Sequence, residues 1–100
     1  MRYEEFRRRL VDAVLTTPGD TPAELRRAAL ERAAVPGPLA AYVSKVARHA
    51  YRVTDADVAG LRQAGQSDDS LFEITVAAAV GAALHRLERG MAALRGVEPD

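Results

Sequence analysis

Apolar residues recur at three- and four-residue steps through most of this chain, and turn formers interrupt them four times. That period belongs to helices. A first helix is predicted over Tyr3–Leu15, with Tyr3, Phe6, Leu10 and Val14 on one face and Glu4 and Glu5 four residues ahead of Arg8 and Arg9. The run Thr17-Pro18-Gly19-Asp20 makes a turn. Thr21, Pro22 and Glu24 then have the pattern of a capping box with proline at the first helical position, opening a second helix that runs to about Ala34. Pro36, Gly37 and Pro38 end it. A third helix, Leu39 to about Tyr51, places Leu39, Tyr42, Val46 and His49 on its apolar face.

The densest signals lie between Val53 and Arg86. Thr54 reads as an N-cap with Asp55 and Asp57 in the first turn, where the helix dipole favours negative charge. The resulting fourth helix, about Asp55–Ala64, is a connector burying little beyond Val58 and Leu61. Gly65 stands where a residue of positive φ closes a helix. Ser67 caps again, ahead of Asp68 and Asp69, and a fifth helix runs from Asp68 to about Arg95, roughly 40 Å at 1.5 Å per residue. Its middle, Val76–Leu84, is apolar on every side, so the helix is expected to be nearly fully buried. Four short partners give little material to surround it. A second subunit is therefore expected to complete the burial, making the chain a homo-oligomer through Val76–Leu84, and Ala78→Glu or Ala82→Glu is expected to stop folding or assembly. The fold class is all-α: a single-domain bundle of about five helices over residues 1–96, followed by a mobile tail at 97–100.

One hundred residues suit one domain, and 14 basic residues balance 14 acidic ones. No bulk charge is available to draw a nucleic acid or an anionic membrane. The halves differ, +3 over residues 1–50 and −3 over 51–100, which suits packing of one half on the other, within or between chains. No cysteine is present, which removes disulfides and thiolate metal sites and fits a reducing compartment, by default the cytoplasm. The N-terminus is charged and amphipathic without a secretory apolar run. The longest uninterrupted apolar run, Val76–Leu84, is nine residues, against roughly 20 for a bilayer span.

The string VTDADVAGLRQAGQSDDSLFEITVAAAVGAALHR, with Gly65, Ser67, Asp68 and Arg86 at their present spacing, resembles the carboxymuconolactone decarboxylase and alkylhydroperoxidase D-like families. The likeness covers about Lys45 to Gly96. It implies an all-helical fold and, for the redox members, a Cys-x-x-Cys-x-x-x-His helix whose thiolates reduce peroxide. Matching His49 to the motif histidine puts the two thiol positions on Tyr42 and Lys45, and the alternative stretch, Thr21–Val35, holds no cysteine either. Dithiol peroxidase chemistry therefore has no participant in this chain. The resemblance also extends to a cysteine-free decarboxylase branch, in which a subunit-interface pocket handles an anionic organic acid by proton transfer.

Few residues are left to carry chemistry. His49 is the candidate catalytic acid or base, or else a hydrogen-bonded core or interface histidine. Tyr42, His85 and Arg86 are candidate substrate-binding residues, Arg86 as a carboxylate clamp, or else in a structural salt bridge or as the cap of a neighbouring helix. No metal or cofactor site is expected, since no ligand triplet has metal spacing. Val58–Leu71 imitates a helix-turn-helix, but its recognition helix would open on Asp68 and Asp69, which repel phosphates. Asp69-Ser70-Leu71 imitates the modified serine of acyl carrier proteins without the short helices that follow it there. The expected function is a homo-oligomeric interaction or small-molecule-binding protein without peroxidase activity, with a cofactor-free decarboxylase or lyase acting through His49 on a small organic acid as the alternative.

Overall fold

Cap chemistry sets two of the helix starts. Thr54 Oγ1 accepts the Asp57 N–H at 3.2 Å while the Asp57 carboxylate accepts the Thr54 N–H at 2.9 Å, a reciprocal capping box. Ser67 Oγ accepts the Ser70 N–H at 3.0 Å, and Gly65 between these two starts has φ +102°. The computed structural model describes residues 2–96, and among them it is all-α. The helices are α1 Arg2–Thr16, α2 Ala23–Glu31, α3 Leu39–His49, α4 Asp55–Gln63 and α5 Asp68–Leu94, with a 3₁₀ turn at Ala50–Arg52 after α3. The expected tail, 97–100, lies outside the described residues.

The capping box expected at Thr21 does not form. The helix starts one residue later, with Pro22 as the N-cap of α2 and no side-chain cap, and the Thr21 side chain is turned to α5, where its hydroxyl donates to the Glu73 carboxylate, a charge-assisted bond. The second helix also stops at Glu31 rather than near Ala34. Arg32 and Ala33 return their N–H groups to the carbonyls of Ala29 and Ala28, a Schellman closure in which Arg32 takes the left-handed conformation at φ +61°.

Leu30 from α2, Leu39, Tyr42, Val43 and Val46 from α3, Leu61 from α4, and Leu71, Ile74, Ala77 and Ala78 from α5 form the core, with Val11 and Val14 of α1 packed against it. Gly81 lets α5 lie directly on α2: a Cβ there would collide with the Leu30 carbonyl oxygen and sit 2.8 Å from its carbon. The expected apolar face of α1 is turned by about one residue, so Leu15 is buried while Phe6 is 55% exposed.

Near-complete burial of α5 is corrected. Only 39% of its most apolar 18-residue window is buried, because α2, α3 and α1 cover one side of the cylinder. Leu71, Ile74, Ala77, Ala78, Gly81, Ala82 and Leu84 face inward, while Phe72, Ala79, Ala83 and Leu87 face out. Ala78 and Ala82 thus belong to the chain's own core, and a glutamate at either tests folding; Ala79 and Ala83 are the positions that test assembly. Taken whole, α5 is long and apolar enough to cross a bilayer by length and composition, although its unbroken apolar run is short.

Candidate functional site

The four residues singled out from the sequence fall in different surroundings. Tyr42 is buried, with its hydroxyl 2.6 Å from Thr75 Oγ1. Thr75 gives its single hydroxyl proton to the Leu71 carbonyl, also at 2.6 Å, so Tyr42 is the donor of the pair. That bond ties α3 to α5. His49 was expected on the same apolar face, but the backbone leaves the helix there at φ −145° and the ring is exposed, edge-on to Tyr51 with centroids 5.9 Å apart. It is no core histidine. His85 is exposed beside a depression of about 150 Å³ that Leu30, Arg32 and Glu88 also line. Arg86 donates from Nη2 to the Ala47 carbonyl at 2.8 Å, which caps the C-terminal turn of α3 with a cation where the helix dipole is negative.

Tyr42 also borders a cleft of about 310 Å³ between α3 and α4, lined by Pro38, Lys45, Asp57, Gly60 and Leu61. Lys45 Nζ lies 3.0 Å from both carboxylate oxygens of Asp57. The Thr54 backbone N–H, and after it the Lys45 ammonium, hold the Asp57 carboxyl below its ordinary range. The cleft therefore presents an ion pair, Lys45 with Asp57, on an apolar floor. Lys45 and Asp57 carried no catalytic pattern in the sequence. Their twelve-residue separation becomes a contact only when α3 and α4 fold together.

Two further side chains were equally illegible. Arg26, buried on α2, donates from Nη1 to the carbonyls of Val14 and Thr17 at 2.7 Å each, covering acceptors that α1 leaves free at its end. Its Nε is buried without a partner. Glu73 meanwhile accepts from the Asp20 N–H at 2.8 Å, the Thr21 N–H at 2.9 Å and the Thr21 hydroxyl, and these bonds, the hydroxyl first, lower its pKa. The α1–α2 turn is thereby clasped to α5. The only sequence signal was a lone charge on each apolar stripe.

An apolar strip on α5 is left uncovered among the described residues. Phe72 is 69% exposed, Leu87 43% and Leu94 89%, and Phe6 lies out on α1. Between α1 and α5 a groove of about 290 Å³ is lined by Leu10, Ala13, Val14, Phe72, Val76 and Val80. The charged residues interspersed here turn aside: Glu73 to the α1–α2 turn, Arg86 to α3, and Glu88 to Tyr3 and Arg7. Among the described residues no three His, Asp or Glu side chains come together as a metal set. No family model, curated protein or solved structure matches the chain.

Proposed function

We propose that this chain is a cysteine-free protein of the carboxymuconolactone decarboxylase and alkylhydroperoxidase D-like type that acts by association and binding, as a homo-oligomer of the cytoplasm without peroxidase activity. The observation that carries this reading is the uncovered apolar strip of α5, from Phe72 to Leu94, continued onto α1 by Phe6 and Leu10. Contiguous apolar surface of this kind marks an interaction site. The sequence supports the negative half: with no cysteine, neither half-reaction of dithiol peroxidase chemistry has a nucleophile.

A small organic acid is the second ligand class, and the cleft holding Tyr42, Lys45 and Asp57 favours it, since Lys45 offers a cation above an apolar floor. A lyase on such an acid would use His49, which stands exposed beside Tyr51 and outside that lining. Binding is therefore preferred over turnover. Light scattering of the purified chain is expected to give a mass above the 10.8 kDa of one copy, with no turnover of alkyl hydroperoxide in the presence of a dithiol reductant. A monomer at about 100 µM, or catalytic peroxide reduction by metal-free protein, would overturn the proposal.

A further inference from the structure

The outward residues of α5 repeat every eleven positions: Phe72, Ala83 and Leu94; Val76 and Leu87; Val80 and Met91. Eleven residues are close to three turns, so these side chains form one nearly straight strip along the helix. It is uncharged. Its two ends differ: Asp69 is exposed at the N-terminal end beside Asp68, which also bonds Arg62 of its own chain at 2.6 Å, and Arg89 and Arg95 are exposed at the C-terminal end.

Resting on the self-association reading above, we infer that two copies pair α5 against α5 in antiparallel orientation, about a twofold axis level with Gly81 and Ala82. Three observations select this arrangement. First, antiparallel pairing sets the acidic start of each helix beside the basic end of the other and opposes the two dipoles, whereas parallel pairing stacks Asp68 and Asp69 on their own copies. Second, the register that sets Phe72 opposite Met91, with Gly90 beside it, overlaps the two strips from Phe72 to Met91. Gly90 is exposed inside a helix and a Cβ there would meet nothing within 4 Å in its own chain, so intrachain packing gives no reason for a glycine. A neighbour's Phe72 does. Third, Phe72 to Leu94 spans about 33 Å, which with a helix width of about 10 Å gives about 330 Å² a copy, and the α1 flank at Leu10 brings the two copies toward the roughly 1,000 Å² at which specific interfaces begin. A lipid surface suits the strip less well, because one end of it is acidic.

Because the chain has no cysteine, an introduced thiol is the only one present. Asp69→Cys and an affinity-tagged Leu94→Cys, mixed and treated with a short bifunctional maleimide, are expected to give the tagged-untagged species as the main cross-linked product. In this arrangement two copies of position 69 lie roughly 37 Å apart and do not self-link. Gly90→Leu is expected to weaken self-association by tenfold or more in sedimentation equilibrium while leaving the helical circular dichroism unchanged. Oligomers whose main product is the 69-to-69 species would overturn the orientation and leave self-association standing. Monomers that bind phospholipid vesicles would overturn both.

Discussion

Replacing Gly81 by alanine isolates the contact that holds α5 on α2. By intrinsic propensity alone the change should stabilise a helix interior by about 1 kcal/mol. At Gly81 the new methyl would instead collide with the Leu30 carbonyl oxygen, with the Leu30 carbonyl carbon at 2.8 Å and Cα at 2.9 Å. All three are backbone atoms, so no side chain can rotate away and the two helices must separate. Overpacking of this kind costs about 1–3 kcal/mol or more. Separation also loosens Ala29, Leu30, Ala77 and Ala78, which form the centre of the core. A clash with fixed backbone atoms belongs at the upper end of that range, about 2–3 kcal/mol, so against the gain in propensity the net expectation is a loss of about 1–2 kcal/mol, or roughly 4–16 °C in melting temperature for a domain of this size. Gly60, inside α4, is the control: a Cβ there meets nothing within 4 Å, so Gly60→Ala should raise stability by up to about 1 kcal/mol. Thermal unfolding followed by circular dichroism at one protein concentration compares the two. Gly81→Ala matching or exceeding the wild type would refute the packing argument.

Acid should unfold the protein partly through Glu73 and Asp57. Both carboxyls are depressed in the folded chain, so the stability they contribute is complete above their ordinary values of 4.5 and 3.8 and is lost as pH falls through the lower folded values. Glu73→Gln should lower stability at neutral pH and flatten its fall below about pH 4.5; an unchanged pH profile would mean that the clasp on Thr21 is not stabilising. His49→Gln should change stability by less than about 0.5 kcal/mol, since the ring is exposed. If screening against organic acids and lactones finds turnover and this variant loses about 10²- to 10⁴-fold of it, the catalytic reading replaces the binding one.

Periodicity and caps made the helices legible. Thr54, Gly65 and Ser67 act within a few residues of themselves, and so their structural outcome follows from local chemistry. Thr21 shows the limit: its local pattern is a capping box, but the helix starts at Pro22 instead and the Thr21 side chain is turned toward a carboxylate 52 residues away, to which its hydroxyl donates. The extent of burial around α5 was misjudged for a related reason. Nine consecutive apolar residues say that a helix has no polar face, whereas which side is covered depends on where α1, α2 and α3 dock. His49 fell outside its expected face because the helix ended on it, one turn before the Pro- and Gly-free sequence gave any reason to stop. Arg86, by contrast, took one of its three expected roles, as the cap of a neighbouring helix. Lys45 with Asp57 is a tertiary pair, and Arg26 on the carbonyls of Val14 and Thr17 and Glu73 on the α1–α2 turn are tertiary contacts, that no spacing rule announces.

Mass measurement of Ala83→Glu beside the wild type tests the central claim most directly. Ala83 is exposed on the outward strip, so in a single copy the glutamate meets water and should alter folding by no more than about 0.5 kcal/mol. In an assembly built on that strip the carboxylate is buried without a partner, at a cost of several kcal/mol. The wild type is expected to scatter light as an oligomer and Ala83→Glu as a 10.8 kDa monomer with the same helical spectrum. Equal masses for the two proteins, whether monomeric or oligomeric, would contradict assembly through this face.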